Sequence, residues 1–256
     1  GAEGVGLIGL NLGRARNARQ PLAGPAQGVQ RLAVTALLQI DVRQLADHRQ
    51  FRAVPAPAPL QLFQLLGRLV RALGSENIDF RLRQTDPAFD AALTGAPWLG
   101  MPIAELDNLD RVLVVGSFLR KDHPLMAQRL RQAAKRGTQI LMVDSAADDP
   151  LMPVAARITV APSELPRALA EVAVALAQSR EQAVPAEFAS VTPGENAKII
   201  AASLASGANT AVLMGNLAVA SAQASTLAAN GRAVADLAGG KFGFLTSGGN
   251  TVGGYL

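Results

Sequence analysis

A chain of 256 residues that is 49% apolar but holds only ten aromatic side chains must build its core from Ala, Val, Leu and Ile, a composition suited to layered α/β packing. The absence of cysteine excludes disulfides, thiolate zinc sites, cysteine-ligated iron–sulfur clusters and cysteine nucleophiles, while His48 and His123 are the only imidazoles on which a catalytic triad or a histidine metal site would rest. The net charge of +4 lies wholly in residues 1–60, where seven arginines face Glu3, Asp41 and Asp47, leaving 17 basic and 17 acidic side chains beyond; with Phe51 the only aromatic in that stretch, no nucleic-acid partner is expected.

Residues 1–59 mix Arg, Gln, Ala, Gly and Pro with little lasting periodicity and run into the Pro-rich VPAPAPLQL at 54–62. The apolar run 32–40 fits a strand or a helix equally well, because it is too short for periodicity to arbitrate. From Leu60 the apolar residues recur at helical spacing, through Leu66, Leu69 and Leu73 to Gly74, and predict a helix over 60–73. SENIDFRLRQTDPAFD at 75–90 reads as a loop. RVLVVG predicts a strand at 111–116, a helix over 123–136 capped by Asp122 follows it, Gly137 ends that helix, and TQILMVD at 138–144 is a second strand. A β-α-β unit of this kind joins parallel strands through a right-handed crossover.

Further strands are predicted at 156–160 and 210–214, with helices at 163–179, 193–206 and 217–230, the first capped by Ser163. The segment 180–192 reads as a linker, so the chain divides into 60–180, a first α/β unit, and 181–256, a second, incomplete one. The Gly-rich end, 244–256, reads as a loop. Apolar stretches fall short of the roughly 18 residues a spanning helix requires, and the first residues lack a basic-then-apolar signal, so a soluble chain is expected.

Gly4, Gly6 and Gly9 fit G-x-G-x-x-G, but no strand precedes them and no acidic residue follows at the distance a ribose contact needs, so the match is read as chance. Gly116 and Ser117 have better context, at the carboxyl end of a parallel strand, where open α/β sheets bind ligands. Phe118 and Leu119 then bring bulk where a phosphate-cradling loop would use Gly or Ser, and plain strand-to-helix geometry is the favoured reading. His123 is read as a surface histidine at a helix start, Asp148 and Asp149 as a solvated turn, and the stripe Lys121, Arg129, Arg131, Lys135 and Arg136 as a solvated helix face.

NIDFRLRQTD at 77–86, APWLGM at 96–101 and the block 110–144 resemble the molybdopterin-oxidoreductase superfamily. Together with VLMGNLAVASAQASTLAAN and KFGFLTSGGNTVGGYL they resemble, more narrowly, the large iron–sulfur subunit of bacterial NADH:quinone oxidoreductase, respiratory complex I, over about 65–256. The resemblance implies Rossmann-like, three-layer α/β units with a parallel sheet. Molybdenum members follow the Gly-Ser turn with Asn and the second-strand Asp with Pro-Arg, to grip a guanine dinucleotide. Here those positions read Gly116-Ser117-Phe118 and Asp144-Ser145-Ala146, and Arg83 stands where formate dehydrogenase relatives carry a Cys.

Gly116, Ser117 and Asp144 are therefore vestigial cofactor contacts by this resemblance, with no catalytic or metal-binding residue expected. It further implies no cofactor in this chain, iron–sulfur clusters in an upstream part of a longer polypeptide, and packing against other peripheral-arm subunits at the cytoplasmic face of the bacterial inner membrane. The alternative is a pterin-binding piece of a molybdenum-dependent oxidoreductase such as formate dehydrogenase; a stand-alone nucleotide-binding α/β protein is a third possibility. Residues 10–56 are expected to pack poorly, so amide hydrogen exchange should run to completion there well before the 110–144 block; strong protection across 10–56 would contradict the expectation.

Overall fold

The computed structural model of the chain describes residues 58–79, 86–248 and 251–255. The glycines at 4–9, the apolar run 32–40, the packing of 10–56, His48 and Arg83 lie outside them.

Five strands form one parallel sheet: β1 (Arg111–Val115), β2 (Gln139–Asp144), β3 (Ala156–Thr159), β4 (Thr210–Met214) and β5 (Lys241–Phe244), in the order β3-β2-β1-β4-β5. The register pairs Arg111 with both Gln139 and Thr210, so the three central strands are aligned residue for residue. The sheet takes strands from both sides of residue 180.

The central strands are apolar without interruption because both their faces are covered. Leu113, Val115, Leu141, Val143, Val212 and Met214 turn to one layer, with the helices α5 (Leu165–Ser179), α6 (Glu195–Ala205) and α8 (Ala224–Ala238). Val112, Val114, Ile140, Met142, Ala211 and Leu213 turn to the other, against helix α4 (Pro124–Lys135) and a 3₁₀ turn at Ile103–Asn108. Leu130 of α4 is fully buried there, and truncating such a side chain to Ala costs about 2–5 kcal/mol. Across the sheet, α5 lies between α6 and α8 with eleven of its fifteen residues buried, which its alanines permit by letting the helices approach closely. The α/β, parallel-sheet expectation holds.

Several local expectations change. Helix α1 (Ala58–Ala72) matches its forecast, but the presumed loop that follows contains helix α2 (Pro87–Ala92), with Pro at its first turn and Asp86 as cap. Helix 123–136 is present as α4, and a short helix the sequence does not suggest, α3 (Leu119–Asp122), precedes it, separated because Pro124 pushes the preceding residue out of the helical region and His123 sits at φ −134. His123, not Asp122, holds the cap position. Ser163 caps nothing: a 3₁₀ turn, Pro162–Glu164, runs directly into α5.

The segment expected to be a linker carries a 3₁₀ turn at Ala186–Phe188 and buries Phe188 in the core. Helix 217–230 is two, α7 (Asn216–Val219) and α8, and α8 runs on to Ala238, past the forecast end. Strand β5, which the sequence reading does not assign, runs into the Gly-rich end at Phe244, and that end carries helix α9 (Thr251–Tyr255) instead of only loop.

The exposed edge of β5 is closed by the segment 98–100, whose Trp98 carbonyl accepts from the Phe244 amide at 2.8 Å. Gly243 makes this approach possible, since a Cβ there would overlap the Leu99 carbonyl. Gly243→Ala is therefore expected to lower stability by about 1–3 kcal/mol, checked as a lower urea midpoint at unchanged m-value.

Candidate functional site at the sheet switch point

The strand order reverses between β1 and β4, and ligands of open α/β sheets bind at the carboxyl ends beside such a reversal. Three turns meet there: Gly116-Ser117 after β1, Asp144-Ser145 after β2, and Gly215 leading into α7 after β4. Gly116 continues the ladder by donating to the Val143 carbonyl at 2.9 Å, and Gly215 donates to the Val115 carbonyl at 2.8 Å.

Gly116 adopts φ +56, and a Cβ on it would lie 2.8 Å from the Ala218 amide nitrogen. Its carbonyl accepts from the amides of Leu217 at 3.0 Å and Ala218 at 3.3 Å. The Leu217 and Ala218 amides of α7 are thus taken by the protein's own backbone. At Gly215 the packing is closer still, because a Cβ would overlap the Ser117 side chain.

Gly116, Ser117 and Asp144 are brought together. The Ser117 amide donates to Asp144 Oδ1 at 3.0 Å, and both residues are buried. Burial pushes the Asp144 carboxyl up to about 6, opposed by the Ser117 amide and the Arg157 charge, with Asp148 adding to the rise. Arg157, paired in register with Met142, donates from Nη2 to the Met142 sulfur at 3.0 Å. Ser117 Oγ, Ser145 Oγ and Arg157 Nε are buried without a protein partner. Ser117 Oγ consequently lacks the hydrogen-bonded base that a nucleophilic hydroxyl requires.

The remaining candidates lie apart from this turn. His123 is buried, contrary to the surface reading, and its Nε2 has no protein partner; burial holds its pKa below the usual imidazole value, against the raising effect of Asp122. Asp149 Oδ1 caps its own turn by accepting from the Leu151 amide at 2.8 Å, and Asp148 lies 3.8 Å from Arg120. No group of three metal-ligating side chains occurs among the described residues. The basic stripe is only partly a solvated face, since Arg129 and Arg136 converge on Asp107 at 2.9 and 3.3 Å and tie α4 to the 3₁₀ turn before β1.

Sequence reasoning passes over Asp86. Its Oδ1 caps α2 through the Ala88 amide at 3.0 Å, and its Oδ2 accepts from the Ser225 amide of α8 at 2.8 Å. The hydrogen bonds from Ser225 hold its carboxyl below the ordinary value. An Asp-Pro pair preceding a short apolar run is a cap signature, and Asp86-Pro87 carries it.

Asp144 yields a pH test. The folded chain binds its proton more tightly than the unfolded chain, so the stability it contributes is full below the unfolded value of 3.8 and is lost as pH rises through about 6. A displacement of that size corresponds to about 3 kcal/mol. Asp144→Asn keeps an acceptor for the Ser117 amide without the titration. Chemical unfolding across pH should show the mutant gaining on the parent by up to about 3 kcal/mol between about pH 4 and about pH 8.

A family profile described as molybdopterin oxidoreductase matches residues 32–248. The match begins inside the Arg- and Gln-rich stretch that the motifs alone left outside the resemblance. No curated protein matches the chain. Among solved structures, the formyltransferase/hydrolase complex from Methylorubrum extorquens in complex with methylofuran is similar at 16% identity and a TM-score of 0.47, over 72% of this chain and 49% of that one. This chain thus spans about half the length of that solved chain. With the profile covering well over half of its residues, the chain belongs to the molybdopterin oxidoreductase family.

Proposed function

We propose that this chain is a non-catalytic, pterin-free domain of the large iron–sulfur subunit of a respiratory NADH:quinone oxidoreductase. In this reading it supports electron transfer from NADH to quinone that runs through clusters and subunits outside the chain. The observation that carries the pterin-free part is the sealed switch point. A dinucleotide would need free backbone donors and space beside Gly116, but the Leu217 and Ala218 amides are spent on the Gly116 carbonyl and Gly215 lies against Ser117. The residues present do not fit the group.

The side chains agree with that reading. Phe118 and Ala146 stand where molybdenum members place Asn and Arg, and a chain without cysteine cannot ligate a cluster through thiolates. The assignment to the complex I branch rests on the ordered motifs from 77 to 256. Two of these, APWLGM and KFGFLTSGG, meet across the 98–100 and β5 backbones, and NIDFRLRQTD ends in the residue that caps α2 and α8. Their roles are architectural, as a supporting domain requires. No helix among the described residues is long and apolar enough to cross a membrane, and we place the chain on the peripheral arm, at the cytoplasmic face of the inner membrane.

A second reading, a pterin-binding domain of a molybdenum-dependent oxidoreductase such as formate dehydrogenase, draws on Ser117 Oγ, Ser145 Oγ and Arg157 Nε, the buried polar atoms without protein partners around Asp144. Metal analysis separates the two. The purified chain should contain molybdenum and tungsten far below one atom per chain and release no pterin on oxidation, and a tagged copy should recover NADH-oxidising activity from detergent-solubilised membranes. Stoichiometric metal with extractable pterin would overturn the scaffold reading in favour of the second.

A further inference from the structure

A cleft of about 310 Å³ opens between the segment 92–98, α8 and β5, and neither Gly116, Ser117 nor Asp144 lines it. Four of the chain's ten aromatic side chains converge on it: Phe89, Trp98, Phe242 and Phe244. The Phe244 ring meets Phe89 and Phe242 edge to face, with centroids 5.7 and 5.1 Å away. Phe89 and Phe244 are buried and Trp98 is 51% exposed, so ring carbon closes the cleft inside and the indole borders solvent. In a chain so poor in aromatic residues, this concentration makes a surface suited to a ring.

The wall carries one charge, Arg232. Its guanidinium lies over the Phe242 ring, 4.7 Å from the centroid, which restrains the side chain while its N–H groups stay available. Arg232 is exposed and makes no ion pair among the described residues. No carboxylate lines the cleft; Asp86, which binds the Ser225 amide beside it, has both oxygens engaged by backbone amides. The amides of Thr94, Gly95 and Ala96, in the same wall, find no protein acceptor among the described residues. Ring surface, a restrained cation without a counter-charge and spare donors thus share one cleft.

We propose that this cleft binds a small aromatic carboxylate, its ring against Trp98 and Phe242 and its carboxylate on Arg232. A neutral ring forgoes the guanidinium, and a bare anion forgoes the ring surface. The proposal is independent of the scaffold reading, since it concerns a different surface and requires no pterin.

Trp98 is the only tryptophan of the chain and reports directly on occupancy. The full chain is titrated with 3-phenylpropionate, with its neutral counterpart 3-phenylpropanamide and with acetate, while the indole is excited on its red edge, where a phenyl ring does not absorb. The phenylpropionate should give a saturable change and bind roughly fivefold more tightly than the amide, the share of a charge-assisted hydrogen bond that survives at an exposed cation. Acetate should give none at the same concentrations. Raising salt to about 0.5 M should shrink the advantage of the acid, because an exposed guanidinium is screened. Arg232→Gln should erase that advantage and leave the amide unchanged. Ala229→Phe, which puts a ring into the cleft from an exposed position of α8, should weaken both phenyl probes.

A non-saturable drift with phenylpropionate, equal affinity for acid and amide, an acetate response matching that of the acid, or an advantage that survives salt or Arg232→Gln overturns the proposal. So does an Ala229→Phe chain that titrates like the parent, because Trp98 also lines a cavity of about 440 Å³ and the probe would then sit there. Both substituted positions are exposed, so the variants should keep the fold. The ratio of acid to amide and its response to salt are read in the parent and need neither variant.

Discussion

The fold depends on one constraint: a parallel sheet whose central strands are dry on both faces. Neither face of β1, β2 or β4 can carry polar side chains, so alternate residues of RVLVV and QILMV serve opposite layers, Leu113 and Val115 to one and Val112 and Val114 to the other. The helices are then obliged to form two layers. Three long ones cover one face; α4 with the 3₁₀ turn before β1 covers the other, drawn together by Asp107 between Arg129 and Arg136. Along the sheet, polar chemistry is left to the strand ends, which is where Ser117 and Asp144 occur.

At those ends the decisive contacts are between backbones. The Gly116 carbonyl takes the Leu217 and Ala218 amides of α7, and Gly243 lets the Leu99 carbonyl lie against β5. Each contact occupies space or donors that an α/β sheet otherwise presents to a ligand or to another edge strand. Closure of this kind stabilises the domain through its own chain.

Much of the scaffold was legible because buried parallel strands are written as uninterrupted apolar runs, and β1, β2 and β4 appear within a residue of their expected positions. What was not legible has physical causes. β5, KFGF, is short and carries a glycine that reads as a loop until its close contact with Leu99 is known. The helix forecast to end at 230 continues through Gly231, which lies mid-helix where a Cβ would press on Met214 and Phe242 at 3.0 Å. In the site, Gly116, Ser117 and Asp144 were readable as strand-end residues and their proximity followed from β1–β2 pairing. The sealing role of Gly215 was not, because it depends on β4 lying beside β1, a neighbour from the far half of the sequence. His123 resembled a surface residue because its own helix start is polar, and its burial comes from what packs over it.

The shared carboxylate of Asp86 has a consequence for the order in which the protein assembles. One oxygen serves a neighbour two positions away and the other a helix 139 positions on. During synthesis the first bond is available as soon as α2 emerges, whereas the second waits for nearly all of the sheet to be made. Until then one oxygen of Asp86 is left without the α8 amide, and Ser225 adds to the β1–β4 pairing a second link between distant parts of the chain.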